Sequence, residues 1–457
     1  MLDEKIAKEL RGIVGEKNYL DTPEDLMNYS YDAFVVEAKP EAVLLPLTTE
    51  QVSDIMKVAY REEIPVTARG AGTNISGGSI PMRGGIILAF ARMKRIIEIR
   101  KEDLLAVVQP GVVNAEFQTE VEKQGLFYPP DPASMSVSTI GGNVAENAGG
   151  PRGVKYGVTR DYILGLTVVL PDGQIIKVGG LTKKNVTGID FVGLFTGSEG
   201  TLGIITEITC RLLPKPEANQ TLQAIFNDLD FAGKAVAKIM EGGMLPVSLE
   251  LMDSVVINII EDSAHIGLPR EAAGILLIMM DGPRESVGRQ VENIAQLCQA
   301  QGATEVRIAK NQEEENAVWF ARRTAFGTMS RARPNCVTED VTVPVSKVPE
   351  MIREIVAIGR KYELVIGVLA HAGDGNMHPL ILTDRRNEDE WKRTEDAIRD
   401  IFVKGIELGG VLSGEHGIGM AKDQFLDLVM SKETRQFMKK IKDAVDPKGI
   451  LNPGKFV

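Results

Sequence analysis

"RGAGTNISGGSIP", residues 69–81, sets four glycines among thirteen positions just after an apolar stretch. So much uncovered backbone implies something that must approach closely. The loop is not a Rossmann fingerprint, since no GxGxxG opens a helix after it, and it lacks the GK[ST] of a P-loop. Bare amides form anion-binding nests, and glycine admits a diphosphate closer than any side chain would. A pyrophosphate is the expected occupant. A mobile surface loop would have the same composition, but the glycine clusters recur, in "PPDPASMSVSTIGGNVAENAGGPRGVKYGVTRDYILG" (129–165) and "FTGSEGTLGIITEIT" (195–209).

Outward from the loop, "AVLLPLTTEQVSDIMKVAYREEIPVTARG" (42–70) reads as strand, helix and strand, with a capping box from Thr48 to Gln51 and apolar Val52, Ile55, Met56 and Ala59 on one helix face. Residues 1–36 read as a polar helix and turn. From Gly85 to about Leu213, short strands alternate with glycine-rich turns, and "LPDG" is a hairpin turn. The Pro-bearing linker "LLPKPEANQ" (212–220) marks a boundary, after which helices and strands alternate to about residue 385. From "NEDEWKRTEDAIRDIFVKGIELGG" onward helical periodicity dominates.

The chain of 457 residues suits two or three packed units at roughly 150 residues each. Its net charge of −11 argues against a nucleic-acid footprint, which needs clustered Lys and Arg in excess. No apolar run approaches the roughly 20 residues of a membrane span, and from the charged "MLDEKIAKEL" no signal peptide is expected. Cys210, Cys298 and Cys336 never form CxxC, so neither a disulfide framework nor an in-chain iron–sulfur cluster is expected. A reducing cytoplasm is the expected compartment.

Residues 38–216 resemble the flavin-binding domain of the vanillyl-alcohol oxidase and p-cresol methylhydroxylase superfamily. The whole chain, down to the closing "DPKGILNPGKF", resembles its glycolate oxidase D subunit and D-lactate dehydrogenase branch. The resemblance implies an α+β fold: a two-part flavin-binding domain of the p-cresol methylhydroxylase (PCMH) type over 1–216, an α/β substrate (cap) domain with an antiparallel sheet over 217–410, and a C-terminal helical segment, 411–457, returning to the FAD domain. It implies FAD, with the pyrophosphate cradled by Arg69, Gly70, Ala71, Gly72, Thr73, Asn74 and Ser79. Pro130, Asp131, Ser134, Ser138, Gly141, Gly142, Asn143 and Asn147 would line the flavin, with Gly200 and Ile205 nearby. Some members attach the flavin through a histidine in the first glycine loop. Thr73 stands there, so noncovalent FAD is expected.

Of four histidines, three lie between 371 and 416. In "LVIGVLAHAGDGNMHPLIL" (364–382) two apolar strands flank "GDGN". A turn at Gly373–Asn376 makes His371 face His378, with Cβ atoms about 4.5–5.5 Å apart, close enough to share a metal at about 2.0–2.1 Å from each. A different register would separate them. "GVLSGEHGIG" offers Glu415 or His416 as third ligand; in an extended segment the two point opposite ways. The resemblance implies His371, His378 and Glu415 as ligands of one divalent metal (Zn, Mn or Fe), and His416 as general base. For the remaining histidine, His265, a hydrogen-bonded core position is expected.

The metal would chelate the hydroxyl and carboxylate of a 2-hydroxy acid, lowering the hydroxyl pKa. His416 would take the proton, and hydride would pass to flavin N5. The substrate carboxylate needs a cation, and "AVWFARRTAFGTMSRARP" supplies Arg322, Arg323, Arg331 and Arg333. By resemblance Arg322 is the substrate-carboxylate arginine. Branch members acting on 2-hydroxydicarboxylates carry a polar anchor where this chain has Leu380, and a lysine where it has Thr338. A small monocarboxylate is therefore expected, with D-lactate, oxidised to pyruvate, ahead of glycolate or 2-hydroxyglutarate. Without in-chain relays the electrons pass to a partner, by resemblance an electron-transferring flavoprotein. The rival readings are the catalytic component of a glycolate oxidase complex, the ether-lipid synthase of the same superfamily, and a non-catalytic flavin- or metal-binding protein.

Overall fold

The run 42–70 folds as its pattern dictates in the computed structural model, which describes residues 2–456. Thr48 caps the helix Thr49–Glu62, its Oγ1 accepting from the Gln51 N–H at 3.2 Å, while Gln51 Oε1 reaches back to the Leu47 N–H at 2.8 Å. Val52, Ile55, Met56 and Ala59 are fully buried on the helix's inner face. Each of the larger side chains there contributes roughly 1.5–3 kcal/mol by leaving water.

The chain divides into two units: Met1–Gly149, Val158–Lys215 and Glu415–Val457 in the first, Gly150–Gly157 and Pro216–Gly414 in the second. In the first, β1 (Tyr19–Leu20), β2 (Ala42–Leu44), β3 (Val66–Arg69) and β4 (Ile86–Ala89) pair in the order β1-β2-β4-β3, with β2 and β3 both parallel to β4. A second, antiparallel sheet joins β5 (Ile96–Arg100), β6 (Leu105–Val108), β8 (Ile163–Val169), β9 (Ile175–Gly179) and β10 (Ile204–Arg211) in the order β5-β6-β10-β8-β9. β7 (Leu126–Phe127) pairs with β11 (Leu213–Pro214). "LPDG" turns β8 into β9, with Gly173 at φ +85°.

The second unit is built on one antiparallel sheet. Its strands are β12 (Ala218–Phe226), β13 (Ser248–Asp253), β14 (Gly274–Gly282), β15 (Glu305–Ile308), β16 (Asn335–Thr338), β17 (Val341–Thr342), β18 (Val365–His371) and β19 (Asn376–Thr383). They run in the order β15-β12-β14-β13-β18-β19-β16, with β17 beside β19. The helices Ser254–Ala264 and Gln312–Ala332 share a core with one sheet face, where Val256, Trp319 and Met329 meet Met252, Leu369 and Leu380.

The second unit also takes in two stretches that the sequence places elsewhere. Residues 150–157 belong to it because Lys155 pairs with Asp281 and the Tyr156 hydroxyl donates to Asp281 Oδ2 at 2.7 Å. Residues 411–414 stay with it because Ser413 Oγ and the Gly414 N–H donate to the Asp340 carboxylate at 2.9 and 2.6 Å. C-terminal to the helix Glu388–Glu407, the chain over 411–422 is irregular rather than helical, and regular helix resumes only at Lys432–Val445. His265 is not a core residue: it is exposed, at φ +48°, and ends the helix Ser254–Ala264 in the left-handed conformation that closes many helices.

Candidate active site

The first glycine loop leaves β3 at Arg69, and its own packing accounts for its four glycines. A Cβ at Gly70 would stand 2.3 Å from Thr139 Oγ1, and one at Gly72 would stand 2.2 Å from the Arg69 guanidinium. At Gly77 it would meet Met420, and at Gly78 Glu146 and Asn74. Asn74 organises the turn: its Oδ1 accepts from the Ser76 and Gly78 N–H groups at 2.9 and 2.7 Å. Arg69 is buried, its Nη1 donating to Ser79 Oγ at 3.4 Å, and Ser79 donates to Asp32 at 3.2 Å. Ala71 and Thr73 remain partly exposed along the loop.

The other flavin candidates all belong to the same unit. Pro130, Asp131, Ser134 and Ser138 precede the helix Ile140–Glu146, whose first turn carries Gly141, Gly142 and Asn143. Asn147 ends that helix at φ +53° and accepts from the Arg160 N–H at 2.8 Å. Gly200 turns at φ +69° ahead of β10, where Ile205 is buried. Ser138 Oγ and Asn143 Nδ2 are buried and have no hydrogen-bond partner among the described residues. Buried polar atoms are rarely left so, and these two donors fit a polar cofactor edge.

A clasp that the sequence did not signal holds this loop. Lys455 Nζ donates to the Gly77 and Ile80 carbonyls at 2.5 and 2.9 Å; Asn452 Nδ2 donates to the Gly78 and Glu199 carbonyls at 2.9 and 2.7 Å. The Glu199 carboxylate in turn accepts from the Ile418 and Gly419 N–H groups, both at 2.8 Å. It thereby fixes the turn just after His416, whose carbonyl accepts from Asn74 Nδ2 at 3.5 Å. Burial, and then the neighbouring Glu199, push the Glu146 carboxyl well above its ordinary value. Burial pushes the Lys455 ammonium down to about 8.

In the second unit the hairpin register differs from the expected one. His371 pairs with Asn376, Ala370 with Met377 and Leu369 with His378, so the turn is Ala372–Gly375, with Gly375 at φ +86°. Relative to the expected pairing the partner of each residue moves by two, an even shift, and an even shift keeps every side chain on its face. His371 and His378 are therefore diagonal rather than directly opposed, yet still adjacent: their rings meet edge-on with centroids 5.0 Å apart.

Glu250, on the neighbouring β13, is paired directly with His371. Its oxygens lie 2.8 and 2.9 Å from His371 Nδ1, and it accepts from Arg322 Nε at 2.8 Å. Burial pushes its carboxyl up, but His371 and Arg322 outweigh burial and hold it below the usual carboxylate range. A lone glutamate in the apolar run "LPVSLELMD" (245–253) was the available signal, and only strand pairing gives it meaning. Of the four arginines on or next to the helix Gln312–Ala332, Arg322 alone is tucked in; Arg323, Arg331 and Arg333 are exposed. Leu380 is fully buried in the apolar core, and Thr338 pairs with it on β16.

Asn376, the strand partner of His371, donates from Nδ2 to Thr342 Oγ1 at 2.7 Å and to Asp340 at 3.4 Å. Because Asp340 also holds the Gly414 N–H, the chain is moored beside the hairpin one residue before Glu415. In the first unit, Glu415 packs on Gly149, where a Cβ would stand 2.9 Å from its Oε2. Glu415 Oε1 lies 3.9 Å from His416 Nε2.

This arrangement of glycine loops, helix turn and antiparallel second unit is that of a two-domain flavoprotein of the PCMH type. A family model for an FAD binding domain matches residues 40–179, and one for the C-terminal domain of FAD linked oxidases matches 215–456. The chain belongs to the FAD-linked oxidase family and is an FAD-linked oxidoreductase of the group that holds glycolate oxidase GlcD and D-lactate dehydrogenase. It is 45% identical over 456 residues to the glycolate oxidase subunit GlcD of Bacillus subtilis (strain 168), covering 100% of this chain and 97% of that one. It is 33% identical over 455 residues to a D-lactate dehydrogenase of Anaerostipes hadrus, covering 97% and 94%. Among solved structures, p-cresol methylhydroxylase with substrate bound matches with a TM-score of 0.81 at 21% identity, over 99% of this chain and 96% of that one. Alkyldihydroxyacetonephosphate synthase matches with 0.78 at 17% identity, over 99% and 86%. These last two share the fold.

Proposed function

We propose that the protein oxidises a small 2-hydroxy monocarboxylate, D-lactate or glycolate, with noncovalent FAD and one divalent metal. The observation that carries this reading is the pair His371 and His378, side by side, with His371 and Arg322 on the same buried carboxylate. Two imidazoles and a carboxylate suit zinc, manganese or iron, and Glu415 is the proposed third ligand. Its support is the mooring of Gly414, since consecutive Cα atoms are only about 3.8 Å apart. When bound, the metal would polarise the substrate hydroxyl and FAD would accept the α-hydrogen as hydride at N5. His416 takes the hydroxyl proton, and the Arg322 fork holds the substrate carboxylate. The C–H bond would break as the C=O bond forms, releasing a 2-oxo acid, and FAD would supply the acceptor for the two electrons.

Buried Leu380 supplies no polar contact for a second carboxylate, which favours a monocarboxylate. The 45% relative named for glycolate oxidase favours glycolate, the 33% relative named for D-lactate dehydrogenase favours D-lactate, and the departures at Leu380 and Thr338 fit either monocarboxylate. Among the described residues no helix is long and apolar enough to cross a membrane. An electron-transferring flavoprotein is the proposed acceptor. Anaerobic absorbance tests the scheme: the flavin should bleach with D-lactate or glycolate and stop bleaching once a chelator has stripped the metal. Equal bleaching without metal refutes the role of His371, His378 and Glu415. The kcat/KM ratio for the two acids decides the substrate, and failure to reduce any purified electron-transferring flavoprotein removes that acceptor.

A further inference from the structure

Glu250 lies mid-strand in β13 with no exposed surface, between the apolar neighbours Leu249 and Leu251. Desolvating a carboxylate costs several kcal/mol unless a charge and hydrogen bonds offset it, and Glu250 has the Arg322 guanidinium and the His371 imidazole, from different elements. Both its oxygens lie within hydrogen-bond distance of His371 Nδ1, at 2.8 and 2.9 Å, and Oε2 accepts from Arg322 Nε at 2.8 Å. Ser248 Oγ adds a longer donation at 3.3 Å. Two geometric consequences follow. With the Nδ1 hydrogen given to Glu250, His371 keeps its Nε2 lone pair for a cation, and its ring plane is set edge-on to His378. With Nε engaged, Arg322 is held by the base of its fork, and its two terminal nitrogens stay available for a carboxylate.

We propose that Glu250 is a positioning residue that sets a metal-binding imidazole and the substrate-binding guanidinium from one buried anchor. The inference rests on the metal and substrate reading above. It requires that the two functions fail together when the anchor is altered. An ion pair serving stability alone requires only that the fold weaken.

The test is a titration of chelator-treated, FAD-loaded wild type and Glu250→Gln with Mn²⁺, followed by steady-state kinetics. The amide keeps the shape but loses the charge, and one of the two carboxylate oxygens becomes an NH2 group that cannot accept. Metal affinity should fall about 10- to 100-fold, the range for removing the carboxylate behind a metal-bound histidine, and KM for the hydroxy acid should rise in parallel. Glu250→Asp should recover part of both, and it serves as the reporter if the Gln variant does not fold. Unchanged Mn²⁺ affinity and KM in a variant with wild-type flavin content would overturn the proposal. Wild type that binds no Mn²⁺ and no Zn²⁺ would instead overturn the metal reading of the hairpin, and the metal half of the proposal with it.

Discussion

Gly141 and Gly142 are adjacent, yet the structure asks different things of them, and that contrast tests where the flavin sits. A Cβ at Gly141 would lie 2.4 Å from Pro110 Cβ and 2.9 Å from the Pro110 Cα and carbonyl oxygen. Carbon atoms pack at about 3.5–4.0 Å, so the helix Ile140–Glu146 would have to move by about 1 Å. That would also break the 2.8 Å hydrogen bond from the Gly141 N–H to the Pro110 carbonyl. Overpacking at about 1–3 kcal/mol plus about 1 kcal/mol for the bond puts Gly141→Ala about 2–4 kcal/mol below wild type. At Gly142 the only neighbour among the described residues is Thr139 Oγ1 at 3.3 Å, which a few tenths of an ångström of adjustment relieves. Replacing a helical glycine by alanine there should be neutral or stabilise the FAD-free protein by about 0.5 kcal/mol. If flavin approaches the first turn of this helix, the new methyl blocks it, and FAD affinity should drop at least about tenfold, which corresponds to about 1.4 kcal/mol. Urea unfolding of the FAD-free protein and fluorescence titration with FAD measure the two quantities separately. A Gly142→Ala protein that folds normally and binds FAD as tightly as wild type would refute this placement of the cofactor.

Asn452→Ala removes the donors to the Gly78 and Glu199 carbonyls and leaves a non-glycine residue at φ +42°. Each orphaned buried carbonyl costs about 1–3 kcal/mol, so flavin should be released at distinctly lower urea, and an unchanged release midpoint would show that the clasp does not hold the loop. Burial pushes the Asp253 carboxyl from 3.8 up to about 7. Between those values the native state binds more protons than the unfolded chain, so this group's contribution is complete below about pH 4 and is lost as pH rises through about 7. Urea midpoints of wild type and Asp253→Asn from pH 4 to 8 should diverge in slope, with the variant flatter; parallel curves would contradict the shift.

Local pattern determined much of this protein. Thr48 before an amphipathic run, glycines after an apolar strand and apolar stretches around "GDGN" act over a few residues, where steric and hydrogen-bond preferences are decisive. Even the wrong hairpin register left His371 and His378 together, because side-chain alternation depends only on parity. The loop glycines were legible as glycines but not in their full cause: Thr139, Arg69, Met420 and Glu146 press on them, and three of these four lie far along the chain. Resemblance pointed to Arg322 among four arginines, but only the tertiary structure gives it a physical distinction, by bringing Glu250 within 2.8 Å of it. The tertiary structure alone placed Asn452 and Lys455 against a loop nearly four hundred residues earlier. Such contacts have no periodicity to read, since they arise from which strands pair and which chain segments return, and those are properties of the whole fold's packing rather than of any window of sequence.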